Sequence, residues 1–473
     1  MAGAKAWKLN DSSAPTFPSD FEIVKKAVLQ VTDIKNNNNK YYAIEVHSAQ
    51  QSFRVFTHYG RTDDLETNPN AGAKECRYFS TLGQAQSEYD KIYREKTSAS
   101  KGYKEVSLAS SKIGSQKARG HSSGEVDGKT LEKMKGTDNK PIEKKKSELP
   151  TPVQDLVQYI YAEATNALTT TVAAKITANG IETPLGILTV GQLEKGESIL
   201  QELYAVFSSS KGKRADCERL SGEFYTAIPH RIGRTRSEIE AAVIDSMAAF
   251  QQKQETLQLM KDMLAVNGEH GSVLFDDQVD SQYQALGAEL QCIEPKSPEW
   301  REWEQHVLKS QIKSKNIQIL NIYRVKRTNE WKSFDTSVGN EKMMFHGSRI
   351  QNWVGLLTRG ILMPKIVVSM GVNRTDAGWL GNGIYFGDAA CTSAFYTTPG
   401  KKKTRFMAIA RVGLGKVKDF TKITYGLNGP PDGYDSCHGV RNAKGNSSDF
   451  QDDEYVIYRQ NQQRIEYLVE FKS

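Results

Sequence analysis

The sequence predicts an α+β multidomain protein in which a small α+β domain is followed by an all-α helical bundle and an antiparallel-sheet-rich domain. Three observations predict it. Between Tyr41 and Tyr93 the segments KYYAIEV and SFRVFTHYG alternate apolar with polar residues, and a helical segment starts around Ala85. From about 149 to 270 the apolar spacing turns helical, and from about Phe275 onward strand signals return. Between the first two regions, Ser111 to Pro150 has almost no aliphatic side chains.

The domain limits follow from these shifts. Residues 1–20 are expected as a flexible tail, 21–110 as the small α+β domain, 111–148 as a flexible basic linker, 149–270 as the helical domain and 275–473 as the sheet domain. In the first domain the run Asn36 to Asn39 reads as a loop. The linker is Gly, Ser, Lys and Glu, a composition that cannot bury enough apolar surface to offset its ordering entropy. It holds ten Lys/Arg against six Asp/Glu, more than half of the formal net charge of +7. Its Lys144-Lys145-Lys146 cluster reads as solvated linker, with a nuclear-import or DNA-tracking patch as the alternative.

In the bundle, Val153, Leu156, Val157 and Ile160 fall at i, i+3, i+4 and i+7. Leu193, Leu200, Leu203 and Phe207 continue a similar stripe, as do Val243, Met247, Phe250, Leu257, Met260 and Leu264. In the last domain FMAIARVGLGKV from Phe406 and the closing pair DEYVIY and IEYLVEF alternate with period two, which predicts a sheet with two differently exposed faces.

Composition narrows the function classes. With 38% hydrophobic and 25% charged residues the chain is that of a soluble globular protein, and no apolar run approaches the ~18 residues of a bilayer-spanning helix. Met1 to Pro18 has no apolar core behind a basic start, so a secretory signal is not expected. Cys76, Cys217, Cys292, Cys391 and Cys437 are an odd number, far apart and without a CxxC pair, which argues against a disulfide framework and a zinc finger. No metal is expected. The modest positive charge permits a polyanionic partner without requiring one.

Four short pieces of the last domain combine unusual residues: Phe345-His346-Gly347-Ser348-Arg349, Gly381-Asn382-Gly383-Ile384-Tyr385-Phe386, Cys391-Thr392-Ser393-Ala394-Phe395-Tyr396 and Asp453-Glu454-Tyr455. Taken singly, each has a bland reading as loop, core or solvent-facing strand. In this order they resemble the signature of the poly(ADP-ribose) polymerase catalytic domain, whose triad the resemblance places at His346, Tyr385 and Glu454. LPTPVQDLVQYI and EFYTAIPH resemble the regulatory helical domain of its DNA-dependent members. Tyr59-Gly60-Arg61 stands where the family's WGR domain has Trp-Gly-Arg. The last domain is therefore expected to be an ADP-ribosyltransferase fold, and the zinc-finger-free order resembles the short DNA-dependent members.

The resemblance implies NAD+ as substrate, cleaved to nicotinamide and ADP-ribose. It implies that Gly347 offers its backbone to the carboxamide, that Ser393 adds a donor, and that His346 and Ser348 hold the adenine ribose. Gly at 347 fits that role because a ligand can approach main chain without a Cβ in the way. Tyr385 and Tyr396 supply two aromatic faces for nicotinamide, each contributing about 0.5–1.5 kcal/mol beyond area burial. DAGWLGNG, from Asp376 through Gly378 to Gly383, has the wrong spacing for a dinucleotide fingerprint and resembles the family's donor-site loop; a surface turn is the alternative. Glu466 and Glu470 compete with Glu454 by residue type but stand off the family position.

Cleavage of the ribose–nicotinamide bond releases a pyridinium as a neutral amine, so no general acid is needed. One carboxylate that steadies an oxocarbenium-like transition state is enough, and the resemblance assigns it to Glu454. At the front of the chain the resemblance implies that Tyr59 and Arg61 meet nicked or broken DNA, for which a planar, permanently charged fork suits Arg61. It also implies that residues 149–270 restrain the enzyme until DNA is engaged, and that acceptors are proteins, the enzyme itself included. Thr392 departs from the Lys that the family polymerases commonly carry there, which leaves product length open between polymer and single units. A mono-ADP-ribosyltransferase and a catalytically silent DNA-end scaffold are the alternatives. The expected compartment is the nucleus in a eukaryotic cell and the cytoplasm or nucleoid in a bacterial one.

Overall fold

The computed structural model describes residues 4–119, 147–172, 175–177, 180–208, 214–229, 232–233, 235–270, 279–363 and 378–473. The Lys144–Lys146 cluster, His230 and Asp376 lie outside the described residues. The chain divides into two compact units, Met1–Pro141 with Leu168–Leu264 and Ile142–Ala167 with Ala265–Ser473.

In the first unit β1 (Trp7–Lys8), β2 (Glu22–Asp33), β3 (Asn38–Ala49), β4 (Ser52–Arg61), β5 (Ala73–Phe79) and β6 (Lys104–Glu105) form a six-stranded antiparallel sheet in the order β1-β5-β4-β3-β2-β6. Helix α1 (Leu82–Thr97) begins where Thr81 Oγ1 accepts from the Gln84 amide at 3.3 Å, which satisfies one of the orphan donors of a helix start. Its Ala85, Tyr89 and Ile92, spaced four and three apart, join Leu29, Ile44, Val46 and Val55 in one core. The asparagine run is half turn and half strand: Asn37 takes the left-handed φ of 50°, and Asn38 already opens β3.

Two expectations at the margins of this domain are corrected. The tail is not free throughout, because Trp7 pairs with Cys76 and Lys8 with Glu75. Residues 111–119, expected in the linker, are packed. Ser115 donates through its amide and hydroxyl to the two oxygens of Glu45 at 2.9 and 2.6 Å, and the Gly114 amide donates to His58 Nδ1 at 3.2 Å. Glu45 is 2% exposed, and a buried carboxylate must recruit donors, a demand that local composition does not reveal.

Helix α2 (Thr151–Val172) spans the boundary between the two units, and α3 (Val190–Ser208), α4 (Arg214–Ala227), α5 (Arg236–Ala241) and α6 (Met247–His270) follow. Val153, Leu156, Val157, Ile160, Leu193, Leu200, Leu203, Phe250, Leu257 and Met260 are buried, as the helical spacing predicts. The region is not purely helical, however. β7 (Leu108–Ser111), β8 (Lys175–Thr177), β9 (Gly180–Glu182) and β10 (Gly186–Leu188) form a small sheet in the order β7-β10-β9-β8. Segments of three or four residues are too short to display a period.

Gly222 lets α4 approach β2. A Cβ there would lie 2.4 Å from the Thr32 carbonyl oxygen, and the Thr32 amide donates to Thr226 Oγ1 at 2.9 Å. On helix propensity alone Gly222→Ala should stabilise α4 by about 1 kcal/mol. The close approach reverses the sign: the substitution is expected to destabilise the first unit by about 1–3 kcal/mol, read from chemical denaturation. A higher denaturation midpoint would contradict the contact.

Among the described residues of the second unit, nine strands form one sheet: β11 (Glu289–Cys292), β12 (Gln318–Lys326), β13 (Glu341–Gly347), β14 (Ile384–Gly387), β15 (Arg405–Gly413), β16 (Val417–Phe420), β17 (Ser436–Gly439), β18 (Glu454–Ile457) and β19 (Gln463–Lys472). Their order is β11-β12-β19-β15-β13-β14-β18-β17-β16, antiparallel except for the β16–β17 pair. Helix α7 (Val279–Leu286) precedes this sheet. Helix α8 (Pro298–Lys309) starts on Ser297, whose hydroxyl accepts from the Trp300 amide at 3.1 Å, with Pro298 in the first turn. Its Trp300, Trp303 and Val307 join Ile322, Phe345, Met407, Ile409, Val469 and Phe471 in one core, each large apolar side chain stabilising by about 1.5–3 kcal/mol. Helices α9 (Thr328–Ser333), α10 (Trp353–Arg359) and α11 (Ala390–Ala394) complete the unit.

The expected contrast between two sheet faces does not hold at the centre, where Phe406 through Ala410 of β15 are all buried. The five cysteines are free, and all except Cys292 are buried. Among the described residues no helix is long and apolar enough to cross a membrane.

Candidate active site

β14 lies between β13 and β18. The register pairs Phe345 with Gly387 on one side, and Gly387 with Glu454 and Tyr385 with Val456 on the other. Alternation along the strands therefore sets Tyr385, Gly387 and Glu454 on one face. Helix α11 packs close to that face: a Cβ on Gly347 would fall 1.9 Å from the Ser393 carbonyl oxygen, and one on Gly387 would stand 3.3 Å from Ser393 Oγ. Two glycines thus allow the serine-bearing turn to sit directly against the strands.

Tyr385 is clamped by the loop before it. Its hydroxyl donates to the Gly381 carbonyl at 2.9 Å and accepts from the Leu380 amide at 2.9 Å. A Cβ on Gly378 would meet its ring at 2.0 Å. Burial drives its hydroxyl pKa upward, with the charge of Glu454 acting the same way. The described part of the expected donor-site loop therefore fixes the Tyr385 ring.

His346 meets the Tyr385 carbonyl oxygen through Nδ1 at 3.0 Å. A carbonyl cannot donate, so Nδ1 carries the hydrogen and Nε2 is left as an acceptor. Burial lowers the pKa of the ring, which keeps it neutral. Ser348 Oγ accepts from Asn352 Nδ2 at 3.2 Å. Tyr396 follows α11, its amide donating to the Ser393 carbonyl at 3.2 Å, and the residue is 63% exposed. Protein crowded around the hydroxyl end, and then the charges of Glu454 and Asp452, raise its pKa, which places it within electrostatic reach of both.

Burial, and then the neighbouring charge of Asp452, push the Glu454 carboxyl up to about 7. Asp452 is held by Lys313, whose Nζ lies 3.0 Å from each carboxylate oxygen. Behind the adjoining strand, His438 bonds Asp419 and Asp453 at 2.9 Å each and stacks on Tyr455 with centroids 4.2 Å apart, so β17 and β18 are tied together beside Glu454. The rival carboxylates are committed elsewhere. Glu466 accepts from Arg411 Nε at 2.6 Å, and Glu470 accepts from Asn321 Nδ2 at 2.8 Å.

The structure thus gathers Gly347, Gly378, Tyr385, Ser393 and Glu454 around α11 and β14, with His346 joined through the Tyr385 backbone. Tyr59 and Arg61 belong to the other unit. The Tyr59 ring stacks on Tyr42 with centroids 5.1 Å apart, and its hydroxyl donates to Glu75 at 2.8 Å. Arg61 is already engaged, donating to the Asn37 carbonyl at 3.0 Å and to Asp63 at 3.1 Å.

Residues 297–473 match the model of the poly(ADP-ribose) polymerase catalytic domain, 147–291 that of the family's regulatory domain, and 25–110 that of the WGR domain. The chain belongs to the poly(ADP-ribose) polymerase family. It is 29% identical over 463 residues to protein mono-ADP-ribosyltransferase PARP4 of Homo sapiens, which covers 97% of this chain and 24% of that protein. It is 25% identical over 488 residues to protein mono-ADP-ribosyltransferase PARP3 of Mus musculus, covering 93% and 87% of the two. It is 25% identical over 446 residues to poly [ADP-ribose] polymerase 2-A of Oryza sativa subsp. japonica, covering 91% and 64%. The chain spans about a quarter of the length of the human PARP4 relative.

At 392, where poly(ADP-ribose) polymerases commonly carry Lys, the Thr392 hydroxyl is buried without a hydrogen-bond partner among the described residues. Three residues beside the family's motifs went unnoticed in the sequence. Gly387 and Asp452 each stand two positions from a singled-out residue, so a strand period of two flags them. Lys313 is 139 residues away from Asp452, and no local pattern points to it.

Proposed function

We propose that this chain is a DNA-break-activated poly(ADP-ribose) polymerase, which cleaves NAD+, releases nicotinamide and transfers ADP-ribose to proteins and to the growing polymer. The observation that carries the reading is the carboxylate of Glu454 on the same strand face as Tyr385, beside the Ser393 turn. Exposed Tyr396 supports it, since an aromatic residue that is 63% exposed near a half-buried carboxylate suits a planar ligand. Gly347 and Ser393 orient the carboxamide, and His346 Nε2 and the Ser348 hydroxyl hold ribose hydroxyls. The ionised Glu454 stabilises the sugar cation as the bond to nicotinamide breaks, and accepts a hydrogen bond from the attacking hydroxyl. The reaction needs no metal and no general acid.

In this reading residues 21–110 meet damaged DNA, 149–270 restrain the enzyme and 275–473 catalyse. Tyr59 and Arg61 line a concavity of about 620 Å³ with Lys40, Arg77 and Lys96, four basic side chains against the two acids Glu75 and Glu95, a surface on which phosphate would compete with those acids for the cations. A phosphate that reaches Arg61 must displace Asp63 from it, so DNA engagement carries a rearrangement of the β3–β4 edge. Acceptor proteins include the enzyme itself, and the compartment follows the DNA, the nucleus or the bacterial nucleoid.

A single-unit product is the second reading, favoured by Thr392 and by two relatives named as mono-ADP-ribosyltransferases. Labelled NAD+ with and without nicked DNA separates the two. A DNA-dependent ladder is expected; a single discrete band would establish the second reading, and no product at all would sink both.

A further inference from the structure

We propose that Lys313 and Asp452 are positioning residues for Glu454, an ion pair whose charge balance sets the pH range in which that carboxylate works. The inference rests on the reading of Glu454 as the catalytic carboxylate. Asp452 stands two residues ahead of Glu454 and is 8% exposed. Lys313 Nζ straddles its carboxylate at 3.0 Å from both oxygens.

The lysine is carried by a segment that is itself anchored. Ser310 Oγ accepts from the Ala390 amide at the start of α11 at 3.0 Å, and Gln311 Oε1 accepts from the Ile317 amide at 3.0 Å. The same loop therefore ties the helix that bears Ser393 to Asp452, two residues ahead of Glu454. Lys313 is half-exposed while Asp452 is buried, so the lysine neutralises a carboxylate that would otherwise stand uncompensated two residues from half-buried Glu454.

The titratable groups that face Glu454 are Asp452 on its own segment, Tyr385 on β14 and Tyr396 after α11. Both tyrosine hydroxyls are held neutral by raised pKa values, so Asp452 is the charge that acts on Glu454 among the described residues. Lys313 offsets it. Without the lysine the full negative charge of Asp452 opposes ionisation of Glu454; without Asp452 that opposition vanishes.

Transfer requires ionised Glu454, so activity rises as pH climbs through its pKa of about 7. Lys313→Ala is expected to move this acidic limb up by about 1 pH unit, and Asp452→Asn to move it down by a similar amount. Lys313→Arg should keep the wild-type profile. The measurement is nicotinamide release from NAD+ by the full chain with nicked DNA, from about pH 6 to pH 9, with melting curves to confirm folding. Opposite shifts are the expected result. Limbs that stay in place or move the same way in folded variants would overturn the proposal, and Lys313→Ala against Lys313→Arg decides alone if Asp452→Asn does not fold. Wild-type activity in Glu454→Gln would instead overturn the reading of Glu454 itself.

Discussion

Glu454→Gln is expected to collapse the product ladder to single additions and to slow nicotinamide release by about 10²–10³-fold, the loss typical when a preorganised charge is removed from a transition state. The amide keeps the shape of the side chain and one acceptor oxygen but cannot carry the negative charge that steadies a sugar cation. A second readout separates this loss from simple damage. Because the folded-state pKa of Glu454 lies above its ordinary value, the protein's stability falls as pH rises through about 7 and the carboxyl is forced to ionise. The glutamine variant escapes that fall, so above neutral pH its melting temperature should equal or exceed that of the wild type. Unchanged product length, or a lower melting temperature, would show that the side chain serves the fold rather than the reaction.

Gly347→Val should abolish NAD+ binding in a calorimetric titration. The hydrogen of glycine is the largest group that fits, since a Cβ would sit 1.9 Å from the Ser393 carbonyl oxygen. That neighbour is backbone and cannot swing away, so α11 must shift, and overpacking of this kind costs about 1–3 kcal/mol. The shift moves Ser393 and Tyr396 together, which removes a hydrogen-bond donor and an aromatic face at once. Gly387→Ala provides the contrast, because the nearest atom to its Cβ would be the Ser393 hydroxyl at 3.3 Å, a contact that a small rotation relieves. A folded Gly347→Val protein with wild-type affinity would show that the ligand does not use this edge of β13.

Much of this was legible from the chain alone, for a physical reason. The succession of domains shows as a change of apolar period, and burial of Val153, Leu156, Val157 and Ile160 follows directly from the helical one. The site is legible because its members sit at the ends of strands and at a helix turn, where short patterns such as His346-Gly347 and Ser393-Ala394-Phe395-Tyr396 survive intact. What escaped depends on partners distant in sequence. Residues 111–119 look like linker until Glu45 and His58 are seen to claim their donors. Arg61 looks free to meet DNA until Asp63 and the Asn37 carbonyl are seen to occupy its fork. The lysine opposite Asp452 arrives from a loop that no spacing rule connects to it.

The placement of β19 has a consequence for how the enzyme is born. That strand runs between β12 and β15, with Leu468 opposite both Tyr323 and Ala408. His346, Tyr385 and Glu454 lie on β13, β14 and β18, which fall on one side of it with β15, β16 and β17, whereas β11 and β12 fall on the other. Val469 and Phe471 of β19 bring Ile322 of β12 together with Phe345, Met407 and Ile409 in one core, so partners far apart in the chain must meet before that core closes, and such pairing makes folding slow.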